Sequence, residues 1–129
     1  MDLKTVTAIS ASGLKAQSLR MRVIAENLAN MDSVAQSAGG QPYRRKLVVF
    51  RPDSAGVEVV KVAADTAQFP RIYQPGHPAA NAQGYVLRPN VNSLVESADM
   101  KAAQRSYESN LNAIEAARGM TMRTIDLIK

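Results

Sequence analysis

Residues 93–129 read SLVESADMKAAQRSYESNLNAIEAARGMTMRTIDLIK, a stretch without proline and with Gly119 as its one glycine. Ser93 followed by Glu96 fits a capping box, in which each side chain satisfies a backbone N–H that the first helical turn leaves free. The spacing therefore predicts a helix from Ser93 to near Lys129, roughly 50 Å long at about 1.5 Å per residue. Placed at 100° intervals, Met100, Tyr107, Leu111, Ile114, Met122 and Ile125 form one stripe of large residues, interrupted by Arg118. Nearly opposite lies a face of mostly small residues, among them Ala98, Ala102, Ser106, Ser109, Ala113 and Ala116. Lys101, Gln104, Arg105, Glu108, Glu115 and Asp126 belong to a polar strip between the two.

Working outward, residues 1–31 repeat the helical signal, with no proline, Gly13 as the one glycine, and Asp2 placed to cap the start. Leu3, Val6, Leu14, Met21, Ile24, Leu28 and Met31 form one apolar seam. Ile9, Ala16, Leu19 and Val23 make a second, smaller patch well away from it, and one partner cannot cover both. Lys4, Lys15, Arg22 and Glu26 share a narrow charged face. Between the two helices the chain changes character, because residues 32–92 hold all six prolines and five of the seven glycines. Tyr43–Phe50 and Val57–Val62 are rich in β-branched or aromatic residues and read as strands of a hairpin; Tyr85–Leu87 reads as a further short strand within loop. The predicted class is α+β: long terminal helices pairing as an antiparallel coiled-coil hairpin around a small β-rich insert. Residues 1–31 and 93–129 form the helical part, and 32–92 the insert.

Composition narrows the chemistry. The chain has 129 residues, a net charge of +5 and no cysteine, which suits one modest domain and excludes a disulfide framework, a thiolate nucleophile or a cysteine-held zinc. The three regions 1–31, 32–92 and 93–129 carry +2, +3 and 0. So spread a charge is a weak footprint for nucleic acid. No apolar run approaches the ~18 residues of a membrane span, and the start lacks a secretory pattern. His77, alone of its kind, sits in Pro75-Gly76-His77-Pro78 and suits turn shaping or contact better than metal binding or catalysis. No motif gathers Asp53, Glu58 and Asp65 into an acid–base pair, and Gly39-Gly40 does not form a phosphate loop. No catalytic, cofactor or metal residue is expected, nor any enzyme activity. Tyr43-Arg44-Arg45-Lys46 is the best opening for a phosphate contact, yet on a strand its cations alternate faces.

A solitary surface helix needs one apolar stripe. Each terminal helix here has more, so pairing the large-residue seams leaves other faces for neighbouring subunits. Periodicity alone does not separate that reading from alanines and serines resting in solvent.

Ser12-Gly13-Leu14, with Arg20-Met21-Arg22-Val23-Ile24-Ala25-Glu26-Asn27-Leu28-Ala29-Asn30, resembles the N-terminal signature of the axial proteins of the bacterial flagellar rod and hook. Pro89-Asn90-Val91-Asn92, Val95-Glu96, Met100 and Gln104-Arg105-Ser106-Tyr107-Glu108-Ser109-Asn110 resemble the C-terminal signature, in the same order along the chain. Gly40-Gln41-Pro42-Tyr43-Arg44-Arg45-Lys46, Tyr73-Gln74-Pro75-Gly76-His77-Pro78-Ala79-Ala80 and Gly84-Tyr85-Val86 are similar to proximal-rod members of that family. Ser97-Ala98 and Lys101 depart from the more acidic and apolar residues usual there.

The resemblance implies a structural subunit of the proximal rod in the flagellar basal body, assembling through its terminal helices into a tubular drive shaft that transmits torque. Its implied partners are itself, other rod subunits and the flagellar type III export apparatus, with no cleaved signal peptide, no nucleic acid and no membrane insertion. The expected assembly residues are Leu3, Val6, Leu14, Met21, Ile24, Asn27, Leu28 and Asn30 on the first helix. On the second they are Met100, Ala102, Arg105, Tyr107, Asn110, Leu111, Ile114, Met122 and Ile125. The alternatives are a non-flagellar helical adaptor that grips one partner, or a basic nucleic-acid-binding protein.

Overall fold

A computed structural model describes residues 2–128; Met1 and Lys129, the outermost positions of the two predicted helical segments, lie outside the described residues. Six elements follow in order: α1 (Leu3–Ala29), β1 (Lys46–Asp53), β2 (Gly56–Ala64), β3 (Arg71–Tyr73), β4 (Tyr85–Leu87) and α2 (Ser93–Ile128). The class is α+β, two long terminal helices around a small antiparallel insert, as the residue pattern predicts.

Asp2 caps α1 as expected, its Oδ1 accepting the Thr5 N–H at 2.7 Å. Hydrogen bonding from Thr5, by its side chain first and then its backbone, holds the Asp2 carboxyl below its ordinary value. Asn30 closes the other end, donating from Nδ2 to the Glu26 carbonyl at 2.9 Å and accepting from the Ser33 hydroxyl at 3.1 Å. The capping box predicted at Ser93 and Glu96 does not carry the start of α2. Asn92 does, its Oδ1 accepting from the N–H groups of Leu94 and Val95 at 3.0 and 3.3 Å. Glu96 is left free to turn inward.

The helices run antiparallel. Gly13 lies against Asn110, Arg20 sits 3.9 Å from Asp99, and Asn27 reaches Glu96 at 3.4 Å, so rising numbers on α1 meet falling numbers on α2. A Cβ at Gly13 would stand 2.6 Å from the Asn110 amide. Glycine is what lets the backbones approach there. Gly13, Arg20 and Asn27 recur every seven residues, as do Glu96, Ala103, Asn110 and Ala117, the spacing of a coiled-coil seam. The seam is not the predicted stripe of large residues. Glu96, Ala103 and Ala117 are the buried members of α2, whereas Met100, Tyr107 and Ile114 flank them half-buried and Leu111, Met122 and Ile125 are exposed. Small residues win the centre because they allow the close approach seen at Gly13.

The second apolar patch of α1 is covered by the β1–β2 hairpin. Its tip lies over Ile9 and Ser12, where Gly56 at φ +121° leaves no room for a side chain and the Ser12 hydroxyl accepts the Val57 N–H at 3.1 Å. From Ser12 to Asn27 is about 22 Å of helix, and from Lys46 to Asp53 about 23 Å of strand, so β1 lies along α1 with its start at Asn27. Val60 is bulged out where the pairing shifts between Val49–Lys61 and Phe50–Val59. The first strand starts later than the predicted Tyr43. Tyr43 and Arg45 spend their N–H groups on the Ser33 carbonyl and on Asn90 Oδ1 instead of a ladder, and the strand continues through Pro52 to the hairpin end. Strand Tyr85–Leu87 forms as predicted and pairs with Arg71–Tyr73, which the pattern does not reveal. His77 shapes the intervening turn by accepting the Ala79 N–H on Nδ1 at 3.0 Å.

The apolar core is slight: Ala16, Val23, Ile24, Ala79, Val86, Ala103 and Ala117. Of the three largest side chains sealed from solvent, Glu96, Val86 and Asn27, two are polar.

Candidate assembly interface

The polar centre is built where the end of α1, the entry to β1 and the start of α2 converge. The Asn27 carboxamide uses both ends: Nδ2 donates to the Lys46 carbonyl at 2.8 Å and to Glu96 Oε2 at 3.4 Å, while Oδ1 accepts from the Tyr43 hydroxyl at 2.8 Å and the Lys46 N–H at 2.9 Å. Burial lifts the Tyr43 hydroxyl above its ordinary value, with Glu26 and Glu96 adding to the effect. Glu96 pairs through Oε1 with Arg45 Nε. Arg45 also reaches Asp65 at 3.1 Å and Asp99 at 3.6 Å, so one guanidinium collects three carboxylates. The hydrogen bond to Glu96 raises Arg45 further above its ordinary value. Asp65 is held below the usual carboxylate range, first by the Ala67 N–H and then by Arg45.

Asn90 finishes the junction by accepting the Arg45 N–H at 2.7 Å and donating to the carbonyls of Asp65 and Ala67 at 3.2 and 3.1 Å. Apart from Asp99, every partner here lies in one of the stretches that carry the family resemblance, or in the Asp65–Ala67 turn. These residues hold the subunit together. They also decide the fate of the basic triad: Arg45 is absorbed into the junction and Lys46 lies 3.6 Å from Glu26. Arg44 donates to the carbonyls of Asp65 and Ala67 and stacks 4.2 Å over Phe69.

The expected assembly residues divide by exposure. Asn27 and Ile24 face inward and are buried within one subunit. Leu3, Val6, Leu14, Met21, Leu28, Asn30, Met100, Tyr107, Asn110 and Ile114 are half-buried, and Asn30 and Asn110 spend their amides on the carbonyls of Glu26 and Ser106. Ala102, Arg105, Leu111, Met122 and Ile125 face outward. The outward side continues to the end of α2, where Leu127 and Ile128 are 87% and 80% exposed. By the antiparallel register the start of α1 lies opposite Met120, so among the described residues the turns beyond it have no wall. Among the described residues no helix is long and apolar enough to cross a membrane, and no group of His, Cys, Asp or Glu is arranged to hold a metal ion.

Sequence comparison agrees with the position of these features. Residues 8–35 match the family model described as flagella basal body rod protein, and residues 82–127 match that of flagellar basal body rod FlgEFG protein C-terminal. The chain is 45% identical to a flagellar basal-body rod protein FlgC from Agrobacterium fabrum, over 98% of this chain and 96% of the relative. It is 41% identical to FlgC of Salmonella typhimurium over 98% of each chain, and 39% identical to FlgC of Bacillus subtilis over 94% and 95%.

Proposed function

The chain belongs to the FlgC family of flagellar basal-body rod proteins, and from that premise we propose that it is built through its two terminal helices into the proximal rod, a tubular shaft that transmits torque. It is a structural subunit of the basal-body rod and not an enzyme, and it assembles with other rod components. Residues 1–31 and 93–129 supply the rod-core part and 32–92 the outer part; passage through the flagellar export apparatus is part of the same reading.

The observation that carries this reading is the exposure of Leu111, Met122, Ile125, Leu127 and Ile128 on a helix whose inner seam is already filled. An apolar surface left on a finished subunit calls for a neighbour. The test is swimming and rod formation in a strain lacking its own copy of the gene. Removing residues 1–31 abolishes both. Because that deletion also removes Asn27, the pair Ile125→Lys and Leu127→Lys, on exposed positions, provides a variant that folds and still fails to assemble. Normal rods with either variant would refute the reading. Tight binding to DNA or RNA with a steep salt dependence would instead favour the nucleic-acid alternative.

A further inference from the structure

Lys4, Lys15 and Arg22 are exposed on one line of α1, separated by 11 and then 7 residues. Glu108, Glu115 and Asp126 are exposed on one line of α2, separated by 7 and then 11. Either interval pair sums to about five helical turns, so each trio lies on one face. None of the six joins an ion pair among the described residues. We infer that the two lines are halves of one contact, in which α1 of one copy lies antiparallel against α2 of a second copy, with Lys4 facing Asp126, Lys15 facing Glu115 and Arg22 facing Glu108. The inference rests on the rod-assembly reading and names the neighbour at that surface.

The register that aligns the charges also aligns what lies between them. Ala8 then meets Met122, Ala11 meets Gly119, and Ser18 meets Asn112, a small residue on α1 each time. At Gly119 an added Cβ would touch nothing within 4 Å, so that side of α2 is open. The same register brings Leu19 opposite Leu111. Leu19 lines, with Lys15, Ser18, Arg22 and Val59, a groove of about 420 Å³ between α1 and the hairpin, and Leu111 is 39% exposed. An apolar groove rimmed by two cations thus receives an apolar side chain flanked by two carboxylates. Among the described residues no like charges stand directly opposite in this register.

The chain cannot make this contact with itself. Within the subunit Gly13 lies against Asn110 and Asn27 against Glu96. The charge ladder needs α2 displaced by one further heptad, and it uses the outer faces of both helices. Because every copy offers one α1 line and one α2 line, the contact is heterologous and propagates from copy to copy.

The absence of cysteine allows a direct test. Two chains, one with Ala8→Cys and one with Met122→Cys, are co-expressed in a strain lacking its own gene, and isolated basal bodies are oxidised. The expected result is a disulfide dimer of the two chains, and little of it when Met122→Cys is replaced by Glu115→Cys, one heptad off. Adding Lys15→Glu and Arg22→Glu to both chains reduces the dimer about tenfold, and adding Glu108→Lys and Glu115→Lys as well restores it. Circular dichroism of the purified variants, all altered on exposed positions, confirms folding. Basal bodies of a swimming strain that give no dimer, or equal dimer at both registers, overturn the ladder and leave the rod role standing. A cross-link to a different protein overturns the choice of a second copy. A strain that the unaltered chain does not restore to swimming removes the rod role and the ladder with it.

Discussion

Asn27 and Glu96 lie 69 residues apart in the chain and meet at 3.4 Å between the two terminal helices, both sealed from solvent. The contact exists because Asn27 serves four partners at once, and two of these are the N–H and C=O of Lys46 at the start of β1. One carboxamide therefore sets where the hairpin leaves the helix pair.

Replacing Asn27 with alanine leaves the Lys46 backbone groups, the Tyr43 hydroxyl and Glu96 Oε2 without that partner. Each unsatisfied buried group costs about 1–3 kcal/mol, so Asn27→Ala loses about 2–4 kcal/mol, read as a lowered urea midpoint. Hydrogen exchange at Lys46 speeds up in the same variant. A midpoint shift below a quarter of that size would contradict the assignment.

Arg45→Met strands Glu96 as a buried carboxylate without its cation and costs about 3–5 kcal/mol. Arg45→Met combined with Glu96→Leu regains most of that loss, since replacing a whole buried pair by apolar groups is nearly neutral. Equal losses in the single and double variants would show that the pair matters for something other than mutual compensation.

The same junction makes the fold sensitive to acid. Asp65 is depressed in the folded state, so the unfolded chain takes up its proton first. The stability it contributes is present above the ordinary carboxylate value near 3.8 and is lost as pH falls through the lower folded value. Asp65→Asn flattens the acid limb of a stability-against-pH curve while leaving its neutral and alkaline parts parallel to the original. An unchanged acid limb would count against it.

Gly13→Ala sets two effects against each other. Alanine favours the helix by about 0.5–1 kcal/mol, but its Cβ collides with Asn110 and overpacking costs about 1–3 kcal/mol. The expected net loss is about 1 kcal/mol. Pairing it with Asn110→Ala removes the collision and returns stability to that of the original chain or above. A double-mutant cycle measures the coupling, and additive changes would mean the helices do not touch at this point.

Both helices and the class were legible because long proline-free stretches with apolar periodicity contrast sharply with a middle rich in proline and glycine. The inner seam was not. Glu96, Asn110, Arg20 and Asn27 are polar residues that apolar periodicity passes over, and large side chains draw attention from Ala103 and Ala117. The recurrence of Gly13, Arg20 and Asn27 at intervals of seven was the available signal, since small and polar residues at heptad spacing mark a close approach as surely as leucines do. Arg71–Tyr73 escaped because three residues between prolines carry too little pattern to stand out, and Ser93 with Glu96 misled because a capping box and a buried carboxylate look alike in one dimension. Of the outward residues, Leu111, Met122 and Ile125 were legible from their size. That Asn27 serves the interior depended on where the hairpin starts, which no local pattern encodes.

A centre made of Asn27, Glu96 and Arg45 also has a mechanical meaning. Apolar surfaces slide over one another with little resistance, because their attraction has no direction. Hydrogen bonds weaken steeply once donor and acceptor turn out of line. Twisting the helix pair against the hairpin therefore strains several bonds together from the first few degrees, and the helices and the β-rich insert turn as one stiff piece.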